Sequence, residues 1–294
     1  MQFLLYFCAQ FLFSVMKKHR SHLLEGLLAA GIALATLCYF VLPHSAAARP
    51  TPSETISTTA EQTTDYELPR LTDDRPEQLI RHLGYTVSYN PNWLIPNWVA
   101  YELTDSETGG EMERINKFVP DPLVEGDPVV TADYKNSGYD RGHMAPAADM
   151  KWSEQAMRES FYMTNICPQN HNNNAGDWKA LEELARDWAH RYGSIYIACG
   201  PIVAPDYPTI GTTRRIAVPE RFYKVFLRPT DTGWTAIGFV MDNRAGSRPL
   251  MTYMQTVDEV ESLTGIDFFY LLPDSLEEQA ESTLTLDDWL LPRR

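Results

Sequence analysis

An α+β domain built around a largely antiparallel sheet is the fold this sequence predicts, and three observations carry that expectation. Strand-like segments rich in β-branched and aromatic residues outnumber helical ones. They do not alternate regularly with helices, as a parallel doubly wound sheet requires. One strongly amphipathic helix stands among them. With 294 residues, 44% of them hydrophobic and 12% aromatic, the chain can bury a large core without disulfide staples.

In chain order, residues 23–43 form an apolar run broken only by Glu25. Lys17, Lys18, His19 and Arg20 precede it, and His44-Ser45-Ala46-Ala47-Ala48 follows. Charge, then apolar residues, then small residues is the order of a signal peptide, and about 20 apolar residues also suffice for an uncleaved membrane anchor. Both readings of the leader, 1–45, imply export to a periplasmic, secreted or membrane-anchored location. Met16, directly before Lys17-Lys18, is an alternative start to Met1. Residues 46–75 are rich in Thr, Ser, Pro and Glu without apolar periodicity, which reads as a solvated linker.

The folded body is expected over 76–272. Strands are predicted at 85–89, 98–103, 160–167, 195–203, 222–227 and 235–241. The clearest helix spans 177–192, where Leu181, Leu184, Trp188 and Tyr192 share one face and Gly193 supplies a stop. A second helix is predicted at 256–264. Residues 273–294 carry Asp274, Glu277, Glu278, Glu281, Asp287 and Asp288 and read as a solvated acidic tail.

Cys8 and Cys38 fall in the leader, so the body holds only Cys167 and Cys199, which can form one bridge or remain free. Net charge is -14, and because residues 1–49 carry four bases and one acid, the remainder stands at -17. That balance excludes a protein coated with positive charge. It leaves room for a local cleft in which a few arginines and a cation reverse the sign.

Asp140-Arg141-Gly142-His143-Met144-Ala145-Pro146 packs an acid, a guanidinium and an imidazole around a glycine. A lone histidine is ordinarily structural; the combination points to reaction chemistry. Asn165-Ile166-Cys167-Pro168-Gln169 follows, then the polar run 170–174, then the amphipathic helix. Asn174 sits where its amide can either cap the helix or bind an ion. Glu182 lies eight positions on, about 12 Å and 80° away on a continuous helix.

In these residues the chain resembles the DNA/RNA non-specific endonucleases. The family's D-R-G-H block corresponds to 140–143, its N-I/V-x-P-Q strand to 165–169, and its metal helix to Asn174, Trp178, Leu181 and Glu182. The G-P strand at 197–201 and the P-x-x-F-Y-K segment at 219–224 look like later parts of the same pattern. Asn174-Ala175 departs from the Asn-Gln of many relatives. The resemblance implies a ββα-metal core acting on DNA and RNA, with Asn174 as ligand to one Mg²⁺ or Mn²⁺ ion and His143 as general base. It also implies Glu182 orienting solvent at the ion, Arg141 on phosphate, Asn165 ordering the site and Arg114, matched only by approximate spacing and the nearby Phe118 and Asp121-Pro122, as a second guanidinium. A homodimer is a further expectation from the family.

Two other readings remain open at this stage. The acidic balance suits a catalytically weak nucleic-acid-binding or envelope protein that keeps the fold, and His143, His171 and His190 could serve a zinc hydrolase, although their spacing matches no short zinc motif. The acidic tail has a second reading as an autoinhibitory mimic of nucleic acid.

Overall fold

Alternate side chains of a strand point to opposite faces, so a sheet covered on both sides needs strands that are apolar at nearly every position. The long strands of this protein have that character. The computed structural model describes residues 64–289, and its elements begin with β1 (Arg70–Leu71), β2 (Gln78–Arg81), β3 (Thr86–Asn90), β4 (Ile95–Thr104) and a helical turn α1 (Asp105–Thr108). Strand β5 (Asp140–His143), helix α2 (Glu154–Glu159) and strand β6 (Ile166–Gln169) follow. Helix α3 (Lys179–Tyr192) leads into β7 (Ser194–Ile202), β8 (Thr209–Ile210), β9 (Ile216–Ala217), β10 (Arg221–Thr230) and β11 (Gly233–Asp242). The last elements are β12 (Met254–Gln255), α4 (Val257–Thr264), β13 (Ile266–Asp267) and α5 (Asp274–Glu281).

Seven strands form one sheet in the order β12-β11-β10-β7-β4-β3-β2, and every pairing in it is antiparallel. One face, bearing Val99, Tyr101, Phe222 and Phe226, packs against Leu181, Leu184 and Trp188 of α3. The other face, bearing Trp98, Ala100, Tyr223 and Val225, packs against Val257 and Val260 of α4 and Ala280 of α5. The expected α+β architecture is therefore present. The stop at Gly193 works because glycine tolerates its φ of 90°.

Four sequence expectations need correction. Segment 160–167 is not one strand: Met163–Asn165 is a 3-10 turn, and only from Ile166 does the chain extend. The Asn165 side chain bonds the backbone of Ala145 and Ser160, which diverts the segment from a sheet ladder. The linker does not reach residue 75, because Leu68 is buried, Arg70–Leu71 pairs with Ile266–Asp267, and Arg70 forms an ion pair with Asp267. Asn174 and Glu182 do not lie on one continuous α-helix: a π-helical turn, Asn174–Trp178, intervenes with Gly176 at φ -109°, ψ -108°. The fourth correction is the tail.

In its described part that tail is packed. Helix α5 covers the sheet, and the Trp289 ring sits 1% exposed, 4.7 Å from the ring of Trp188 and 6.3 Å from that of Phe226. Burial of one large aromatic outweighs the acids around it. Among the described residues no helix is long and apolar enough to cross a membrane. The leader (1–45), linker residues 46–63 and residues 290–294 lie outside the described residues. Trp289→Ala is expected to destabilise the protein by about 3–5 kcal/mol, the usual loss for a fully buried aromatic. Urea unfolding followed by tryptophan fluorescence and circular dichroism checks this, and an unchanged midpoint would mean a solvated tail.

Candidate active site

Strands β5 and β6 form a two-stranded antiparallel ribbon beside the main sheet, with Gly142 opposite Cys167 and His143 opposite Ile166. Only glycine fits at 142, since a Cβ there would lie 2.0 Å from Gln169 Oε1. Period-two alternation then places Arg141 and His143 on one face of the ribbon.

The chain leaving His143 is fastened at successive peptide groups. Trp178 Nε1 donates to the His143 carbonyl at 3.3 Å, and Lys224 Nζ and Cys199 Sγ donate to the Met144 carbonyl at 3.2 and 3.3 Å. Met144 N donates to the Asn165 carbonyl at 3.0 Å. The Asn165 amide accepts from Ala145 N at 2.9 Å and donates to the Ala145 and Ser160 carbonyls, both at 2.8 Å. Asn165 is wholly buried and spends its amide on the backbone, so any influence on the site passes through the His143 loop.

The His143 ring is itself 7% exposed, and its Nε2 is buried without a hydrogen-bond partner. Phe118 and Phe161 wall it, with ring centroids at 5.3 and 5.0 Å. Each of these rings carries a guanidinium: Arg141 lies 4.5 Å from the centroid of Phe118 and Arg114 lies 5.0 Å from that of Phe161. Burial, and then the charges of Arg114 and Arg141, push the imidazole down to about 3. It is therefore neutral near pH 7, with a lone pair free to accept a proton.

The two sequence readings of Asn174 separate here. Asn170 Oδ1 caps the turn His171–Asn173 by accepting from Asn172 N, while Asn174 Nδ2 donates to Asp140 Oδ2 at 2.9 Å. That bond orients the Asn174 amide and leaves its carbonyl oxygen as the end available to a ligand. Asn174 lines a cleft of about 560 Å³ together with Phe118, Tyr134, Lys135, Asp140 and Arg141. Asp140 Oδ2 also contacts His171 Nδ1 at 2.9 Å, so this acid positions the loop. The far end of β11 completes the support. Asn243 accepts from Asn170 N at 2.7 Å and donates to the Pro168 carbonyl at 3.0 Å, and Asn173 Nδ2 donates to the Asp242 carbonyl at 2.7 Å.

Glu182, on the first turn of α3, is partly buried. Burial raises its carboxyl group to about 7; Lys224, Arg186 and Arg114 pull it down, while Asp149 pushes it up. Arg114 therefore acts on both His143 and Glu182, which ties the two groups to one region. The structure thus assembles His143, Arg141, Arg114, Asn174 and Glu182 around the ribbon, with Asn165 behind it.

One amide oxygen suits a hard ion that keeps several waters, and Mg²⁺ or Mn²⁺ has that character. The zinc reading lacks such a set. His171 is bonded to Asp140 and His190 to Asp105, and the one convergent trio of potential ligands among the described residues excludes all three histidines. Cys167 and Cys199 are free and buried, which decides between the two readings of their pairing.

The sequence motifs include Trp178 and Lys224 without assigning either a role in the site, and they do not single out Phe161 or Arg186. Lys224 had a visible signal: it is the lone cation in the apolar stretch 222–227. It is 1% exposed on the same sheet face as Phe222 and Phe226, and its Nζ lies 4.7 Å from the Trp178 ring centroid. Arg186, one turn beyond Glu182, donates to Asp149 Oδ1 at 2.7 Å.

A family model described as DNA/RNA non-specific endonuclease matches residues 69–275. The mitochondrial nuclease EXOG of Danio rerio is 36% identical over 225 residues, covering 70% of this chain and 64% of that protein. The mitochondrial Nuclease 1 of Schizosaccharomyces pombe is 32% identical over 224 residues, covering 69% of each. The solved EndoG/EndoGI complex, described as revealing a mechanism of EndoG inhibition, contains a chain matched at TM-score 0.62 and 26% identity, covering 70% of this chain and 91% of that one. The match spans less than two thirds of the EXOG proteins, 64% in Danio rerio and 56% in Homo sapiens.

The raised Glu182 group carries a signed pH dependence. Its folded pKa of about 7 exceeds the ordinary 4.5, so the folded state holds the extra proton between those values. The resulting stability is complete below pH 4.5 and is lost as pH rises through 7. In metal-free buffer Glu182→Gln is expected to match the wild type near pH 4.5 and to exceed it by about 2 kcal/mol near pH 8, after discounting for solvent screening. Urea unfolding at both pH values measures the difference; a gap independent of pH would refute the assignment.

Proposed function

The chain belongs to the DNA/RNA non-specific endonuclease family, and from that premise we propose that it is an exported, Mg²⁺-dependent endonuclease that hydrolyses phosphodiester bonds in DNA and RNA without sequence preference. The observation that carries this reading is His143: a neutral, buried imidazole with an unpartnered nitrogen, flanked by two guanidiniums and three residues beyond Asp140, which orients the Asn174 amide.

In the proposed reaction His143 takes a proton from the attacking water, a task for which a neutral imidazole is already in the required state. Arg141 and Arg114 hold phosphate oxygens. Their contacts to the backbone of the substrate carry no base information, which supports breadth across DNA and RNA. Asn174 would hold the ion through its amide oxygen, and Glu182 orients solvent beside it. The bound ion supplies positive charge where negative charge develops on the transferred phosphoryl oxygens and the leaving oxygen. Mn²⁺ is expected to substitute for Mg²⁺, since both favour oxygen donors.

Export rests on the charge, apolar run and small residues of the leader, with a periplasmic, secreted or membrane-anchored product as its consequence. The relatives named mitochondrial carry that location as their own. The net charge of -14 favours one second reading, a catalytically weak nucleic-acid-binding protein on the same fold.

One assay separates the two. Supercoiled plasmid and RNA are incubated with the full chain in Mg²⁺ and in EDTA, beside His143→Ala and Asn174→Ala. Cleavage of both substrates only with metal, a fall of about 10²–10⁴-fold in rate for folded His143→Ala, and a raised Mg²⁺ requirement for Asn174→Ala are expected. Retention of nucleic acid by folded wild type without cleavage in any divalent metal would favour the binding reading.

A further inference from the structure

On the sheet face opposite Lys224, three carboxylates meet between α4 and α5. Asp258 and Glu261 lie one turn apart on α4, and Glu281 is the last residue of α5. One ligand oxygen from each lies within 4.8 Å of the other two. Oxygens that share a hard cation at about 2.4 Å can be at most about twice that distance apart, so the trio has the spacing of one coordination sphere.

The second observation concerns Glu281 itself. It is 4% exposed, its Oε1 is buried without a hydrogen-bond partner, and its carboxylate converges with those of Asp258 and Glu261. Among the described residues none of the three carboxylates has an ion pair, and Arg70 is committed to Asp267. Glu261 has one fixed donor, Phe268 N at 2.8 Å to Oε1. Burial and the neighbouring acids push Glu261 up to about 7 and Glu281 up to about 10. Unpaired carboxylates in this setting must be neutralised, and a proton on one of them leaves the others repelling.

We propose that Asp258, Glu261 and Glu281 form a binding site for a hard divalent cation of the calcium type, which fastens α5 to α4. The donors are all oxygen, as calcium prefers, and the exposed position of Asp258 leaves room for water to complete six to eight ligands. No sulfur or imidazole is present to favour zinc. Asp258 and Glu261 lie within the family match and Glu281 beyond residue 275, where it ends, so the site joins the matched region to the C-terminal segment.

The test uses Ca²⁺ alone, on the full chain carrying Asn174→Ala, so that the ion proposed for the ribbon does not contribute to the readout. Equilibrium dialysis is expected to give one bound Ca²⁺ per chain, with a rise of several degrees in melting temperature. Both are expected to vanish in Asn174→Ala/Glu281→Gln, and affinity should fall at least tenfold in Asn174→Ala/Asp258→Asn, a change at an exposed position that the fold tolerates. No bound Ca²⁺ in the Asn174→Ala chain, or binding that survives both carboxylate substitutions unchanged, would overturn the proposal. Neither readout depends on nuclease activity, so the outcome stands apart from the function proposed above.

Discussion

The candidate site depends on how the peptide chain around His143 is held. The Nε2 of the ring has no hydrogen-bond partner, so the position of the imidazole is set by the ribbon, by two aromatic walls and by the bonds that fasten carbonyls 143 and 144 and peptide 145. Those bonds come from four separate elements: the π-helical turn before α3, strands β7 and β10, and the turn before β6. A histidine secured in this way keeps a nitrogen for chemistry, whereas one fixed by ring hydrogen bonds would have spent it.

This arrangement explains a costly feature of the main sheet. Lys224 is buried in a strand between the inward-facing Phe222 and Phe226, because its ammonium must reach the Met144 carbonyl and lie over Trp178, itself a donor to His143. The same cation lies close enough to Glu182 to oppose the effect of burial on that carboxyl group. Sheet and ribbon are thus coupled through one side chain. The opposite face of the sheet is given over to α4, α5 and the acidic trio between them, which leaves the chemistry on the α3 side.

Much of this was legible in the sequence wherever local spacing decides geometry. Gly142 between Arg141 and His143 and the apolar face of α3 express periods of two and 3.6 residues, the long strands show in their β-branched and aromatic content, and the structure keeps them. Asn165 was legible as an ordering residue only through family resemblance, since its bonds reach twenty residues back to Ala145. Three of the four misreadings share one cause: long-range contacts overrode local character. Segment 160–167 is β-branched and aromatic but is bent by the Asn165 side chain. The stretch 273–289 is acidic but is anchored by Trp289, and Arg70 is hydrophilic but pairs across the fold with Asp267. Burial of Lys224 could not be inferred from its charge.

The acidic balance of the chain and the cationic neighbourhood of His143 are compatible because only a few charges act at short range. Arg114 and Arg141, each stacked on a wall of the imidazole pocket, outweigh distant acids there. The claim on which the account rests is that burial and the charges of Arg114 and Arg141 hold the free His143 imidazole neutral. Histidine-labelled NMR of the metal-free protein, with the signal assigned by its loss in His143→Ala, tests it most directly. The ring should remain neutral as pH is lowered from about 8 to about 5, in keeping with a pKa displaced to about 3. Titration centred near the ordinary histidine value of about 6.5 would contradict it, and with it the view that burial and two guanidiniums keep the imidazole uncharged.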